Sequence, residues 1–203
     1  MSEVSKPKVK YPLRKKRKEE NRQAILDAAL QLFAKQGYGS TSLQAVAEQA
    51  GLHEQTLFRH FPSKTDLANA LGGLALDEFS TFFSDRTTDT LTTWREWITL
   101  RAAAHSTHDS RSFFEAVPTI KSTNLTFQFQ YERILAAGIA QDLNVDMNKD
   151  STPMLIACML WGVNIHIVHD WVRSGSKQSL VNYATAVVDD ISHLFPNLVK
   201  GGQ

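Results

Sequence analysis

The chain has 203 residues, 42% of them hydrophobic and 21% charged, a globular balance that excludes wholesale disorder. Six Pro and ten Gly exclude a fibrous or low-complexity protein. The lone Cys158 excludes an internal disulfide framework or a Cys-based zinc cluster, and fits a reducing cytoplasm. The formal charge of +1 hides an asymmetry: residues 1–22 hold nine bases against three acids, and the remainder thirteen bases against eighteen acids.

A basic arm therefore precedes a mildly acidic body, and the arm reads either as a solvated tail or as a segment for polyanions, nucleic acid or an anionic membrane surface. Asp27 and Gln31 interrupt the stretch that follows, so the arm is not a secretory signal. Pro7 and Pro12 predict an extended, disordered arm over 1–18. A first helix starts near Glu19 and Glu20, two acids suited to its positive end, with an apolar stripe at Ile25, Ala29, Leu32 and Phe33. It ends at Gly37 and Gly39. Thr41, with Gln44 three residues on, predicts the capping box of a second helix that buries Leu43, Val46, Ala47 and Ala50. Gly51 supplies the turn into a short third helix, His53 to His60, closed by Phe61-Pro62. Ser63 with Asp66 caps a fourth helix from Lys64. Two short helices joined through Ala50-Gly51-Leu52 read as a helix-turn-helix.

Past Leu71 the pattern loosens. Gly72-Gly73 marks a weak point, and helices are predicted at about 90–105, 110–122 and 125–143, with Pro118 shortening the middle one. Phe127, Phe129 and Tyr131 alternate with glutamines in a locally strand-like way, but the segment as a whole reads as helix. Residues 152–173 are apolar almost all round. Their longest apolar run, Met154 to Val163, is half of the ~20 residues a membrane span needs, so a buried helix is predicted and no membrane partner. Residues 177–195 carry one clean apolar stripe.

Residues 22–67 resemble the DNA-binding segment of tetracycline-repressor (TetR) family regulators. The likeness rests on Arg22-x-x-Ile25-Leu26-x-Ala28-Ala29-x-x-Leu32-Phe33, Gly37-Tyr38, Thr41-Ser42-x-x-x-Val46-Ala47-x-x-Ala50-Gly51, Thr56-Leu57-Phe58-Arg59-His60-Phe61 and Lys64. The resemblance implies phosphate contacts from Thr41, Ser42 and Lys64. The third helix would enter the major groove exposing His53, Glu54, Gln55, Thr56, Arg59 and His60, with Leu57 and Phe61 inward. Gln55 can bond adenine and Glu54 cytosine N4, although an acid in a first helical turn is also explained by the helix dipole. The family usually has Tyr at the position of Phe58. Here no hydroxyl reaches phosphate, leaving packing or contact with sugar or a thymine methyl. Residues 23–70 carry a net −1, so the arm is expected to supply much of the attraction to DNA, for instance by entering the minor groove.

Nothing catalytic is legible behind this segment: no Gly-x-Ser-x-Gly, P-loop or dinucleotide motif occurs, so the chain is not expected to be an enzyme. His105/His108 with Asp109 and His166/His169 with Asp170 have metal-compatible spacing but too few ligands, and neither metal nor cofactor is expected. The resemblance implies an effector cavity in the rear half. Phe79, Phe83, Trp94, Trp97, Phe113, Phe127, Tyr131, Trp161 and His166 are its candidate lining, although aromatic sets of this kind more often form a core. The same resemblance implies that the last two helices form a homodimer interface through Trp171, Leu180, Ala184, Val187, Val188, Ile191 and Phe195; ordinary intrachain packing is the alternative.

The reading is an all-α chain with three parts: a disordered basic arm (1–18), a three-helix helix-turn-helix domain (19–66) and a larger helical ligand-binding and dimerisation domain (67–203). The expected function is a cytoplasmic, homodimeric, effector-released repressor on a palindromic double-stranded DNA operator. The alternative is a helical small-molecule-binding or metal-dependent protein using its arm on anionic surfaces.

Overall fold

The computed structural model describes residues 11–104, 125–174 and 179–195. Among these residues there are eight helices and no strand: α1 (Tyr11–Ser40), α2 (Leu43–Gln49), α3 (Glu54–His60), α4 (Lys64–Ser84), α5 (Thr90–Ala104), α6 (Leu125–Leu143), α7 (Thr152–Ser174) and α8 (Leu180–Leu194). The predicted helix at 110–122, with Pro118, Phe113, His105 and His108, lies outside the described residues.

Two separate apolar cores organise the chain. Ile25, Leu26, Ala29 and Phe33 of α1, Val46 and Ala47 of α2, Leu57 of α3, then Phe61 and Leu67 make the first. Phe79, Phe83, Trp94, Trp97, Leu135, Ile139, Ile156, Leu160, Trp161, Trp171, Val188 and Ile191, among others from α4 to α8, make the second. Only α4 contributes to both: Leu67 and Phe79 are twelve residues apart, about 18 Å along a helix axis.

Three expectations need correction. Residues 11–18 are helical rather than extended, so α1 begins eight residues before Glu19. A proline in a first helical turn removes an amide that has no intrahelical acceptor anyway, so Pro12 does not prevent this. The cap of α2 is Ser42, whose Oγ accepts from the Ala45 amide at 3.0 Å, and not Thr41. Gly72 and Gly73 do not interrupt α4. At Gly72 the Phe127 ring lies so close that a β-carbon would meet Cε2 at 3.1 Å. Phe127–Tyr131 belongs to α6, the helix that the segment as a whole predicts.

Ser63 caps α4 as its spacing predicts, accepting from the Asp66 amide at 3.1 Å and bonding the Asp66 carboxylate at 2.7 Å. Behind α4 a polar clamp joins the loop before α5 to the end of α6. Arg86 donates to Gln141 Oε1 (2.6 Å) and the Gly138 carbonyl (3.3 Å) and pairs with Asp142 (3.3 Å), while Asp142 accepts from the Thr90 amide (2.6 Å). Arg95 of α5 pairs with Asp189 of α8. The stretch Thr152–Trp171 is long and apolar enough to cross a membrane by length and composition. Here it is a helix of the second core, with Ile156, Ala157, Leu160, Trp161, Ile167 and Trp171 buried.

Candidate nucleic-acid interface

The turn between α2 and α3 is built by backbone chemistry. Gly51 has φ 67°, a left-handed conformation that L side chains resist, and no atom lies within 4 Å of where its β-carbon would be. The glycine is therefore required by the backbone and not by crowding. The Gly51 amide donates to the Glu48 carbonyl (3.0 Å) and the Leu52 amide to that of Ala47 (2.9 Å), closing α2. His53 then caps α3, its Nδ1 accepting from the Gln55 amide at 3.3 Å, which leaves Nε2 as the outward-facing nitrogen.

With Leu57 fully buried and Phe61 3% exposed, the opposite face of α3 is fixed outward. Gln55, Phe58 and Arg59 are exposed, and Glu54, Thr56 and His60 are partly so. Phe58 is 46% exposed, an unusual placement for a large aromatic ring and one that makes it a contact surface instead of core. A short rigid helix with a bidentate amide, a guanidinium and an apolar ring on one face has the dimensions and groups for a major groove.

The three expected phosphate residues separate. Ser42 is exposed, and its capping bond uses an oxygen lone pair, so the hydroxyl hydrogen remains able to donate. Thr41 is 2% exposed and turned inward: its hydroxyl donates to the Gly37 carbonyl at 2.8 Å and accepts from Gln36 Nε2 at 3.3 Å. It staples the kink at Gly37 (φ 81°), where α1 deviates from helical geometry, and its hydroxyl is turned away from the surface. Lys64 is strapped between helices, its ammonium 3.2 Å from the Gly39 carbonyl and 4.3 Å from the centre of the Tyr38 ring. Partial burial holds its pKa below the usual lysine value. The ammonium still has further donors for a phosphate at the α1–α4 junction.

Sequence reasoning missed what lies beside the far end of α3. The Arg22 guanidinium sits 4.9 Å from the centre of the Phe61 ring, and Lys18 and Arg22 are close enough to His60 to depress its pKa together with burial, the largest cause; Glu19 opposes them. The signal was available as a four-residue spacing of bases, but it points to α3 only once residues 11–18 are helical.

Residues 25–71 match the family model described as bacterial regulatory proteins, tetR family. The likeness to the tetR family is shown for this segment. Over 47 residues it is 49% identical to the uncharacterized HTH-type transcriptional regulator YvkB of Bacillus subtilis, a match spanning 23% of this chain and about a quarter (25%) of that relative. It is 24% identical over 192 residues to the HTH-type transcriptional regulator LuxR of Vibrio harveyi, covering 83% of this chain and 87% of LuxR. Among solved structures, FadR from Bacillus subtilis, in complex with stearoyl-CoA, shares the fold with a TM-score of 0.60 at 19% identity, covering 83% of this chain and 96% of that one.

In the rear half the aromatic candidates for an effector cavity fill one another's space. Phe79 contacts Phe83, Trp97 and Tyr131 with ring centres 4.4, 5.2 and 4.8 Å apart, and Tyr131 stacks on Trp161 at 4.1 Å with planes 12° apart. Trp94 is 1% exposed within the same cluster. Burial pushes the Tyr131 phenol up to about 12, so it stays neutral. Phe127 packs on α4 at Gly72, Phe113 lies outside the described residues, and His166 is exposed, so it does not line the interior. A cleft of about 530 Å³ opens elsewhere, among Thr81, Phe82, Arg86, Thr88, Thr93 and Glu96, with threonines and charged residues where the expected one has aromatic rings.

Five of the expected interface residues, Trp171, Leu180, Ala184, Val188 and Ile191, are buried in the chain's own second core, and Val187 and Phe195 pack against it. The apolar side chains that α7 and α8 leave exposed are instead Leu155, Val163, Tyr183 and Leu194. Among the described residues no three His, Cys, Asp or Glu are grouped to hold a metal; His169 Nδ1 lies 3.3 Å from the Asp170 carboxylate.

Proposed function

We propose that this protein is a homodimeric, effector-responsive transcriptional repressor that reads a palindromic operator through α3. The outward face of α3 on a buried Leu57–Phe61 base is the observation that carries the reading. Gln55 and Arg59 would read base edges, with Glu54, Thr56 and the Nε2 of His53 beside them and Phe58 against a thymine methyl or sugar. Ser42 and Lys64 would hold phosphates at either end of the helix pair, and the basic N-terminal segment would supply the long-range attraction.

Two copies joined through Leu155, Val163, Tyr183 and Leu194 would set their α3 helices about one DNA turn, ~34 Å, apart. The effector would be apolar or aromatic, as the acyl-CoA bound by Bacillus subtilis FadR partly is. Because the aromatic cluster is closed, the effector would have to favour a state in which Phe79, Tyr131 and Trp161 separate. That state would release DNA only if its α3 spacing fits the groove less well.

The test is selection from a random duplex library, followed by sedimentation. The expected outcome is an enriched inverted repeat bound by two copies, lost in Gln55→Ala/Arg59→Ala, a variant that leaves the buried face of α3 intact. Failure of the wild-type protein to enrich any sequence refutes the reading.

A further inference from the structure

The helical start of α1 has no role in either core, yet it holds the densest basic stretch of the chain, Arg14 to Lys18. In helical phase, Arg14, Lys18 and Arg22 recur every four residues on the stripe that continues into Ile25, Leu26 and Ala29, which is the side facing the rest of the domain. Arg22 is anchored on that side by the Phe61 ring just beyond α3. Arg14 and Lys18 are exposed, Lys18 is close enough to His60 in the last turn of α3 to act on it, and Arg14 lies one turn further along the same stripe. Lys16 points the other way and pairs with Glu20 at 3.8 Å. The influence of Lys18 and Arg22 on His60 agrees with their place beside the last turn of α3.

We propose that Arg14, Lys18 and Arg22 form a rigid basic ridge that binds the phosphate backbone flanking the groove read by α3. This rests on the DNA-binding reading above. A helix is ~10 Å across and the minor groove ~6 Å wide, so residues 11–18 cannot thread into that groove as an extended arm does. A row of cations one helical turn apart, continuous with the end of a groove-reading helix, meets the wall of the groove, and that wall is phosphate.

A ridge and an unstructured cloud of charge make different predictions for charge-matched variants. On the duplex selected by the wild-type protein, the slope of log affinity against log salt should fall by about 2 for Lys18→Gln in a two-copy complex, ~0.9 for each phosphate no longer neutralised. Arg14→Gln/Lys18→Gln should lose about twice that. Lys16→Gln should lower the slope clearly less than Lys18→Gln does, and the selected sequence should be the same for all variants. Equal slopes for wild type and Lys18→Gln, or equal losses for Lys18→Gln and Lys16→Gln, overturn the ridge while leaving the DNA-binding reading standing. If the wild-type protein selects no duplex, that reading falls and the ridge with it.

Discussion

α5 comes close to α6 at Gly138, where a β-carbon would lie 2.6 Å from Thr90 Oγ1 and 3.2 Å from its Cγ2. Thr90 is 1% exposed, and its side chain is β-branched and short, so it has little freedom to retreat. Gly138→Ala therefore combines two opposed effects. Alanine in a helix interior stabilises by about 1 kcal/mol over glycine, whereas overpacking a close contact costs about 1–3 kcal/mol. With an approach as short as this the overpacking cost should sit at its upper end, giving a net loss of about 1–2 kcal/mol. In a Thr90→Ala background the obstructing atoms are gone. Thr90 Oγ1 is buried without a hydrogen-bond partner, so removing it breaks no bond. There Gly138→Ala should stabilise by up to about 1 kcal/mol. Urea denaturation of the four proteins at one fixed concentration closes the cycle, with an expected coupling of about 1–3 kcal/mol. The same sign for Gly138→Ala in both backgrounds would show that this approach does not govern the packing of α5 on α6.

Ser63→Ala removes the cap of α4 and should cost about 1 kcal/mol in the same assay, with Ser63→Asp retaining most of the stability. His60 has a pKa below the ordinary histidine value, from burial first and then Lys18 and Arg22. The unfolded chain thus binds the extra proton, and His60 lowers folded stability as pH falls from about 6.5 through its folded pKa. In Lys18→Gln, proton NMR titration should show the His60 pKa moving up. An unmoved value would place Lys18 away from α3.

The elements of this chain were written locally. The apolar stripe from Ile25 to Phe33, the Ser63–Asp66 cap and the glycine turn at 51 each describe neighbours within one or two turns. All three are found in the structure, because backbone geometry and side-chain period act over that range. The inward faces of Leu57 and Phe61 follow from the same period, and with them the outward face of α3.

What lay beyond the sequence was the choice between equivalent partners. Thr41 and Ser42 carry the same hydroxyl, and only the kink at Gly37 turned one inward and left the other as the cap. The aromatic residues from Phe79 to Trp161 satisfy an apolar pattern equally well by lining a cavity or by stacking on each other; the approach of α4, α5, α6 and α7 decided for stacking. The stripe on α8 went to its own core by the same logic, leaving Tyr183 and Leu194 outside. Charge spacing likewise shows that Arg14, Lys18 and Arg22 share a face but not what that face overlooks. Periodicity defines a surface on one helix, whereas its neighbour depends on how helices distant in sequence cross, and that is settled by packing the whole core at once.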